Sequence, residues 1–433
     1  MNINTLYQYY LKNPVICTDT RKITDGCLFF ALKGENFNAN TFAANAIEHG
    51  AAFAVIDDVD YQVNDRFLLV DDTLKALQDL SINHRKQLQI PVIGLTGSNG
   101  KTTTKELINS VLSQKFKTLA TKGNLNNHIG VPLTILEITS QTEIAIIEMG
   151  ANHQKEIAQL CQYSMPNYGF ITNIGKAHLE GFGGVEGIKI GKGELYDYLK
   201  GTNGTTFINK DSEALTEMGV AKNLQNILFY GKAFDNFLSG QLVKNNPFLE
   251  VEWMYKGDLY QVQSQLTGIY NFENILAAIA IGLQFGLTPN QINDGISTYS
   301  PQNNRSQILK TKSNTIICDY YNANPSSMTV AIDNILQLKA DSKVLILADM
   351  FELGEEAFLE HEIIVKQALL NNAFSKVIFV GEYFKAHEQH QGALFFAKTE
   401  ELANYLQKNK IENSLVLVKG SRGMKLESVI EYL

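Results

Sequence analysis

Cysteine is scarce in this sequence. The chain has four cysteines, at positions 17, 27, 161 and 318, and no two of them form a CxxC pair. This spacing argues against a disulfide framework and against a thiolate zinc site. Cys318 lies at the end of an apolar run, where we expect its thiol to be buried as a small apolar group.

The sequence also lacks an excess of basic charge and a long apolar run. Its 37 Lys and Arg against 45 Asp and Glu give a formal net charge of −8, so a broad electrostatic surface for nucleic acid is not expected. The longest apolar stretch, residues 275–287, is interrupted by Gln284 and is too short to span a bilayer. No basic segment followed by an apolar core marks a secretory signal. We therefore expect a cytoplasmic protein that inserts into no membrane.

What the sequence does contain is an alternation of short apolar runs and helical segments. A hydrophobic content of 45% over 433 residues indicates a folded α/β protein of two or three domains. Residues 1–88 predict a small mixed α/β domain, and residues 89–303 a central, mostly parallel sheet of the P-loop ATPase type. Residues 304–433 predict a Rossmann-like domain, although no GxGxxG turn is present. The predicted strands are residues 28–32, 53–56, 67–70, 92–95, 144–147, 169–172, 206–209, 315–318, 343–347, 376–380, 393–396 and 414–418.

The sharpest local signal is residues 94–103, Gly-Leu-Thr-Gly-Ser-Asn-Gly-Lys-Thr-Thr. A strand leads into a glycine-rich turn that opens a helix, so backbone N–H groups and the helix dipole would point at an anion. Lys101 would reach the outer phosphates of a nucleotide, and the Thr102 hydroxyl would meet Mg²⁺. Leu95 departs from the general phosphate-loop pattern, which has Gly or Ala there, and a chance turn is the alternative. We predict nucleotide binding by Gly97, Ser98, Asn99, Gly100, Lys101, Thr102 and Thr103.

Two further strand-like runs lead to polar residues. The run 144–147 is followed directly by Glu148, and ligands of open α/β sheets gather at the carboxyl ends of strands. Glu148 would therefore lie beside the phosphate loop, where a Mg²⁺ ligand belongs; an acid that caps the next helix is the alternative. His178 and Lys192 follow the run 169–172. On their own, a structural or surface histidine and a solvated helix lysine are the alternatives for these two.

Together these residues resemble the Mur ligase family, which forms amide bonds in peptidoglycan precursor synthesis. Residues 96–103 are similar to the TGxNGKT loop of that family, which accounts for Leu95. The resemblance implies that Glu148 binds metal, and that His178 and Lys192 match the family's histidine and its downstream, often carbamylated, lysine. A carbamate would help to hold a second Mg²⁺. The implied catalytic residues are Lys101, Glu148, His178 and Lys192, and the implied metal ligands are Thr102, Glu148, His178 and Lys192.

The same resemblance assigns residues to the nucleoside. Asn271 and Asn274 resemble the asparagines that contact adenine, and Arg305 and Asp319 those that contact the phosphate and ribose. Without the resemblance, the asparagines would be polar helix positions, and Arg305 and Asp319 an ordinary ion pair.

Longer stretches resemble one branch of the family, whose members add D-Ala-D-Ala to UDP-MurNAc-tripeptide. Residues 319–328 are close to its DxYNANPxSM motif, residues 348–354 with His361 to GDMLELG…H, residues 418–422 to VKGSR, and residues 123–132 also fit. Ala348 for Gly and Phe351 for Leu are mild departures, and no DNPR stretch of the neighbouring branch is present. The substrate-binding residues implied here are Asn126, Asn127, Tyr321, Asn322 and Asn324.

The N-terminal segment carries the same resemblance. Residues 19–21 (Asp-Thr-Arg) and 30–34 (Phe-Ala-Leu-Lys-Gly) are similar to stretches associated with the UDP-sugar end of the substrate. Thr20 stands where Ser is usual, and either hydroxyl can donate a hydrogen bond. The resemblance thus implies that Thr20, Arg21 and Lys33 bind UDP-MurNAc.

The implied activity is an ATP-dependent ligase that activates a carboxylate as an acyl phosphate for peptidoglycan synthesis. ATP and two Mg²⁺ ions are the expected cofactors, a carbamate on Lys192 is a further expectation, and the C-terminal domain would close over ATP. We expect a monomer without a nucleic acid partner. A folylpolyglutamate synthetase-like ligase, and a nucleotide-dependent switch or hydrolase without amide chemistry, are the alternatives.

Overall fold

Each of the three predicted segments contributes its own parallel-rich β-sheet in the computed structural model, which describes residues 1–302, 304–370 and 372–433. The predicted boundary at residue 303 falls outside the described residues. Within those residues, no helix has the length and apolar character needed to cross a membrane.

The N-terminal unit is a parallel sheet of strand order β1-β2-β5-β6, packed between helices, with a separate β3–β4 hairpin. Leu77 and Leu80 of its last helix pack with Leu136 of the central unit in one apolar cluster, which joins the two units. Its elements are α1 (Ile3–Lys12), β1 (Ile16–Cys17), β2 (Leu28–Phe30), β3 (Lys33–Gly34), β4 (Phe37–Asn38), α2 (Ala43–Glu48), β5 (Phe53–Ile56), β6 (Phe67–Leu69) and α3 (Thr73–Gln87).

The first half of the central unit forms the parallel sheet that the sequence predicts. Its strands β7 and β9 are buried along their whole length, as expected for strands covered by helices on both faces. These elements are β7 (Val92–Thr96), α4 (Lys101–Leu112), β8 (Thr118–Ala120), α5 (Gly130–Leu136), β9 (Ile144–Glu148), α6 (Glu156–Ser164), β10 (Tyr168–Ile171), α7 (Leu179–Phe182), α8 (Val185–Thr202), β11 (Thr205–Asn209) and α9 (Glu213–Ala221).

The second half extends this sheet with strands that the sequence did not reveal. The full order is β15-β14-β13-β12-β11-β10-β7-β9-β8, and β14 runs antiparallel to both of its neighbours. The apolar run that begins at Ile275 forms most of a buried helix, α10, which packs between α4 and the sheet. The elements are β12 (Ile227–Gly231), β13 (Leu238–Asn245), β14 (Leu249–Tyr255), β15 (Asp258–Gln263), α10 (Asn271–Gln284) and α11 (Pro289–Thr298).

The C-terminal unit is a sheet of order β16-β17-β21-β18-β19-β20 flanked by helices, and only its edge strand β16 is antiparallel within the described residues. Cys318 is buried in an apolar cluster of this unit, as predicted. Its elements are β16 (Gln307–Lys310), β17 (Asn314–Asp319), α12 (Pro325–Gln337), β18 (Lys343–Ala348), α13 (Ala357–Leu369), β19 (Lys376–Val380), α14 (Glu382–Lys385), β20 (Leu394–Phe396), α15 (Thr399–Lys408) and β21 (Ser414–Lys419).

The central and C-terminal units share an apolar cluster. Leu179 and Phe182 of α7 pack with Met350 and Leu353 of the segment that follows β18. This contact brings the carboxyl ends of β7, β9 and β10 to face the carboxyl end of β17.

Candidate functional site

A cavity of about 1100 Å³ lies between the central and C-terminal units. The phosphate loop, Glu148, the first turn of α10 and the segment after β17 all contribute to its wall. Gly97, Lys192, Thr20, Arg21 and Lys33 are not among its lining residues. The predicted site residues that do line it are Ser98, Asn99, Gly100, Lys101, Thr102, Thr103, Asn126, Asn127, Glu148, His178, Asn271, Asn274, Arg305, Asp319, Tyr321, Asn322 and Asn324.

The phosphate loop needs glycine at two positions. Gly97 has φ +146°, and a Cβ there would lie 1.9 Å from the Thr172 hydroxyl oxygen. Gly100 has φ +78° immediately before α4, and a Cβ there would press on the Asn274 amide. These backbone angles turn the chain from β7 into α4, whose first N–H groups then face the cavity.

A second loop, residues 172–175, holds the phosphate loop in place. The Ser98 amide donates to the Asn173 carbonyl at 3.0 Å, and the Asn99 amide to the Asn173 side-chain oxygen at 2.9 Å. The Thr172 hydroxyl donates to the Asn99 carbonyl at 2.6 Å. The sequence shows polar residues after β10, but no motif predicts a role for Asn173.

Lys101 is folded back over its own loop. Its Nζ donates to the carbonyl oxygens of Gly97 at 2.6 Å and Ser98 at 3.1 Å. Burial of the ammonium lowers the Lys101 pKa to about 8, although nearby Glu148 opposes that shift. A polyphosphate in the cavity would favour the charged ammonium and compete for the same donor.

Glu148 is a buried carboxylate with one oxygen free. Its Oε1 accepts from the Thr102 hydroxyl at 3.2 Å and from the Asn126 amide at 2.8 Å. Its Oε2 has no hydrogen-bond partner among the described residues, and the buried Lys105 ammonium lies 4.0 Å away. A buried carboxylate oxygen without a partner is costly, and a hard cation is the group that satisfies it best.

The protein contributes few ligands for a metal here. In the described part of the chain, no three His, Cys, Asp or Glu side chains are grouped so that they could hold an ion. Thr102 and Glu148 supply two adjacent oxygens. This set suits Mg²⁺ that is bound jointly by one or two protein oxygens, substrate phosphates and water.

Lys192 lies in the interior beside this site. Its side chain is 1% exposed, and its Nζ lies 5.2 Å from the centre of the Phe182 ring. Within the described residues its ammonium forms no ion pair and no hydrogen bond. Burial, together with the positive charge of Lys101, lowers the pKa of Lys192 well below its ordinary value. The solvated helix lysine considered as the alternative is therefore wrong.

His178 lies at the junction of the two units. It has φ +55°, lines the cavity, and its Nδ1 is hydrogen-bonded to the Glu352 carboxylate. Close by, the Lys176 ammonium pairs with the Glu360 carboxylate. Neither acid was singled out for a role at the site by sequence reasoning.

The residues predicted to contact the nucleoside line one part of the cavity and contact one another or other residues of the protein. Asn274 donates to the Asn271 side-chain oxygen at 2.8 Å. The guanidinium of Arg305 stacks on the Tyr321 ring at 3.8 Å. Asp319 pairs with Lys419 at 2.6 Å, so the ordinary Arg305–Asp319 ion pair considered as an alternative is wrong.

Asn324 joins the two units directly. Its side-chain oxygen caps α12 by accepting from the Ser327 amide at 2.9 Å, and its Nδ2 donates to the Asn99 side-chain oxygen at 2.8 Å. Proline at position 325 begins the helix, where it costs no hydrogen bond. The Asn-Ala-Asn-Pro stretch is therefore a helix cap that also contacts the phosphate loop.

Two of the three predicted residues of the N-terminal unit, Arg21 and Lys33, form local ion pairs, and none of the three lines this cavity. Arg21 is largely exposed and pairs with Asp19 at 2.8 Å. Lys33 pairs with Asp57 at 2.9 Å.

Comparison with known proteins identifies the family. A model described as the Mur ligase middle domain matches residues 95–282, and one described as the Mur ligase, glutamate ligase domain matches residues 304–422. The chain is 36% identical over 428 residues to UDP-N-acetylmuramoyl-tripeptide–D-alanyl-D-alanine ligase of Bacillus subtilis, covering 96% of this chain and 92% of the relative. The chain belongs to the Mur ligase family.

Solved structures of Mur ligases have the same fold as this chain over nearly its whole length. MurF of Acinetobacter baumannii superposes with a TM-score of 0.88 at 30% identity, covering 99% of this chain and 98% of that one. MurF ligase of Thermotoga maritima in complex with ADP gives a TM-score of 0.85 at 26% identity, covering 98% and 97%. The three-domain α/β architecture predicted for this Mur ligase is thus confirmed.

The folylpolyglutamate synthetase alternative shares only the fold with this Mur ligase. Folylpolyglutamate synthase of Mycobacterium tuberculosis has a TM-score of 0.64, is 12% identical, and covers 83% of this chain and 94% of its own.

Proposed function

We propose that this Mur ligase joins D-Ala-D-Ala to UDP-N-acetylmuramoyl-tripeptide with ATP, giving the UDP-MurNAc-pentapeptide for peptidoglycan. The observation that carries the proposal is the contact between Asn99 and Asn324. It brings the phosphate loop and the motif typical of this branch to the same cavity. The full-length similarity to a ligase of that name supports the choice of substrates.

The first step transfers the γ-phosphate of ATP. An oxygen of the tripeptide's terminal carboxylate attacks phosphorus, the bond to the β-phosphate oxygen breaks, and ADP leaves. Since both reactants are anions, cationic and N–H groups must stabilise the charge that develops. Lys101 and the first amides of α4 face the cavity in position to do this.

Thr102 and Glu148 are the residues that would hold Mg²⁺, because their oxygens adjoin and Glu148 Oε2 has no partner in the described chain. When bound there, the ion would supply positive charge to the phosphate oxygens. Asn126 and Lys105 would keep the carboxylate in place.

Lys192 is proposed to carry a carbamate and, with His178, to take part in a second metal site. Two buried ammonium groups, those of Lys101 and Lys192, repel each other. A carbamate on Lys192 would turn this repulsion into attraction. The lowered pKa of Lys192 favours the neutral amine, which is the form that reacts with CO₂.

The second step forms the amide. The amine of D-Ala-D-Ala attacks the acyl carbon, the bond from carbon to the phosphate oxygen breaks, and phosphate leaves with the amine giving up a proton. The acyl phosphate must be shielded from water. Closure of the C-terminal domain, residues 304–433, over the central domain, residues 89–303, would supply that shield and deliver D-Ala-D-Ala near Tyr321, Asn322 and Asn324.

The N-terminal domain, residues 1–88, is proposed to hold the UDP end of the substrate. Thr20, Arg21 and Lys33 would bind it, and Asn126 and Asn127 would lie along its path to the phosphate loop. In the Arg21–Asp19 and Lys33–Asp57 pairs the cationic side chain is exposed to solvent. Each pair can therefore separate at low energetic cost so that the cation binds a diphosphate.

Phosphate release from ATP tests this function. With UDP-MurNAc-tripeptide present, we expect sustained release only when D-Ala-D-Ala is added, together with a product whose mass equals the sum of both substrates less water. Release without the amine would favour a nucleotide hydrolase or switch. Activity with a folate and glutamate in place of these substrates would favour the other ligase class.

A further inference from the structure

The segment after β18 reaches across from the C-terminal unit to a side chain of the central unit. Glu352 is hydrogen-bonded to Nδ1 of His178, a residue 174 positions earlier in the chain. His178 lines the cavity, whereas Glu352 does not. Glu352 therefore lies behind the histidine and would act on the reaction only through it.

The chemistry of this contact selects one form of the imidazole. An ionised carboxylate accepts hydrogen bonds and cannot donate one, so the proton of a neutral His178 must sit on Nδ1. The lone pair is then on Nε2. A carboxylate behind a histidine is a common way to fix the ring and raise the basicity of the nitrogen that faces a ligand.

Both partners are held in backbone conformations that residues with a side chain rarely adopt. His178 has φ +55° and Glu352 has φ +62°. Such angles persist only where the surroundings impose them, and they concentrate at functional sites. The backbone of each partner is therefore held in a defined conformation.

The surroundings of Glu352 impose its position. The Met350 amide donates to Nε2 of His361 at 3.1 Å. The carboxylate of Asp349 accepts from the amides of Tyr383 at 3.0 Å and Phe384 at 2.9 Å. The start of the segment that carries Glu352 is thus hydrogen-bonded to two helices of its own unit.

The surroundings of His178 are fixed by the other unit. Leu179, the next residue, packs in the apolar cluster with Met350 and Leu353. The Lys176 amide donates to the Ser326 hydroxyl at 2.8 Å, and the Lys176 ammonium pairs with Glu360. The histidine is therefore positioned only while the C-terminal unit is docked.

We propose that Glu352 is a positioning residue supplied by the C-terminal domain, which fixes the Nδ1–H form of His178 and presents Nε2 to the cavity. The effect of Glu352 on catalysis rests on the proposed function, in which docking of the C-terminal domain completes the catalytic site. When the C-terminal domain is not docked, Glu352 does not orient His178. Phosphate transfer from bound ATP would therefore be limited to the closed arrangement.

Glu352→Gln tests the inference, with Glu355→Gln as the matched control on the same exposed segment. We expect kcat for ligation to fall about 10- to 100-fold in Glu352→Gln, with KM for ATP changed less than about threefold. Glu355→Gln should leave both constants within about twofold, since Glu355 is exposed to solvent. An unchanged kcat in Glu352→Gln would overturn the proposal.

Two further measurements separate positioning from a merely structural role. In ¹⁵N-histidine spectra of the full chain without ligands, assigned with His178→Ala, His178 should carry its proton on Nδ1, and Glu352→Gln should lose that preference. In the His178→Ala background, Glu352→Gln should lower kcat no further. An Nε2-protonated His178 in the wild-type chain, or an additive loss of kcat, would contradict the proposal. The spectra need no ligase activity, so failure of the proposed function would be recognised separately.

Discussion

Replacing Glu148 with glutamine is expected to lower kcat for ligation by a factor on the order of 10² or more. The amide can still accept from Asn126 and Thr102 through one oxygen. The substitution removes the negative charge and replaces Oε2, the oxygen without a partner that would bind the cation. The half-saturating Mg²⁺ concentration should rise as well, and steady-state kinetics over a Mg²⁺ series measures both effects.

The matched control is Glu137→Gln. Glu137 is an exposed acid that pairs with Lys122 on the surface, so its loss should change kcat less than about twofold. A Glu148→Gln enzyme with wild-type kcat and wild-type Mg²⁺ dependence would remove Glu148 from the metal site.

Lys192→Ala is expected to cause a loss of similar size, about 10² or more in kcat. If the side chain carries a carbamate, alanine removes an anionic ligand and leaves space beside Phe182. Acetate added at high concentration should enter that space and restore part of the activity. Initial rates with and without acetate, at fixed ionic strength, give the measurement.

Lys189→Ala provides the comparison for Lys192. Lys189 lies on the same helix, α8, but is paired with Glu186 at the surface. Its replacement should leave kcat nearly unchanged and acetate without effect. If Lys192→Ala retained full activity with or without acetate, the carbamate and the role of Lys192 would both be wrong.

Buried parallel strands were predictable because their signal is local. β7, β9 and β18 are continuous apolar runs, and each was placed within a residue or two of its observed bounds. The strands β13 to β15 were missed because they lie toward the edge of the sheet and contain few consecutive apolar residues. In β14 only alternate residues, such as Leu249, Val251 and Trp253, are buried. A search for a period of two could have found this strand.

The phosphate loop could be predicted for the same reason, since its glycines, Lys101 and Thr102 are adjacent in sequence. Contacts between distant segments could not. Asp319 pairs with Lys419, 100 positions away, rather than with Arg305. Asn99 meets Asn324 across 225 positions. The first pairing depends on β17 and β21 being neighbours in the C-terminal sheet, and the second on how two domains dock. Spacing along the chain carries no information about either.

Transfer of ¹⁸O is the most direct test of the central claim that the γ-phosphate of ATP is transferred to the carboxylate of the tripeptide. The substrate is UDP-MurNAc-tripeptide with both oxygens of its terminal carboxylate labelled, ligated to D-Ala-D-Ala in unlabelled water. Attack by the carboxylate on phosphorus predicts one ¹⁸O atom in each phosphate released and one in the new amide. Phosphate without ¹⁸O, formed at the same rate as the amide, would contradict the account.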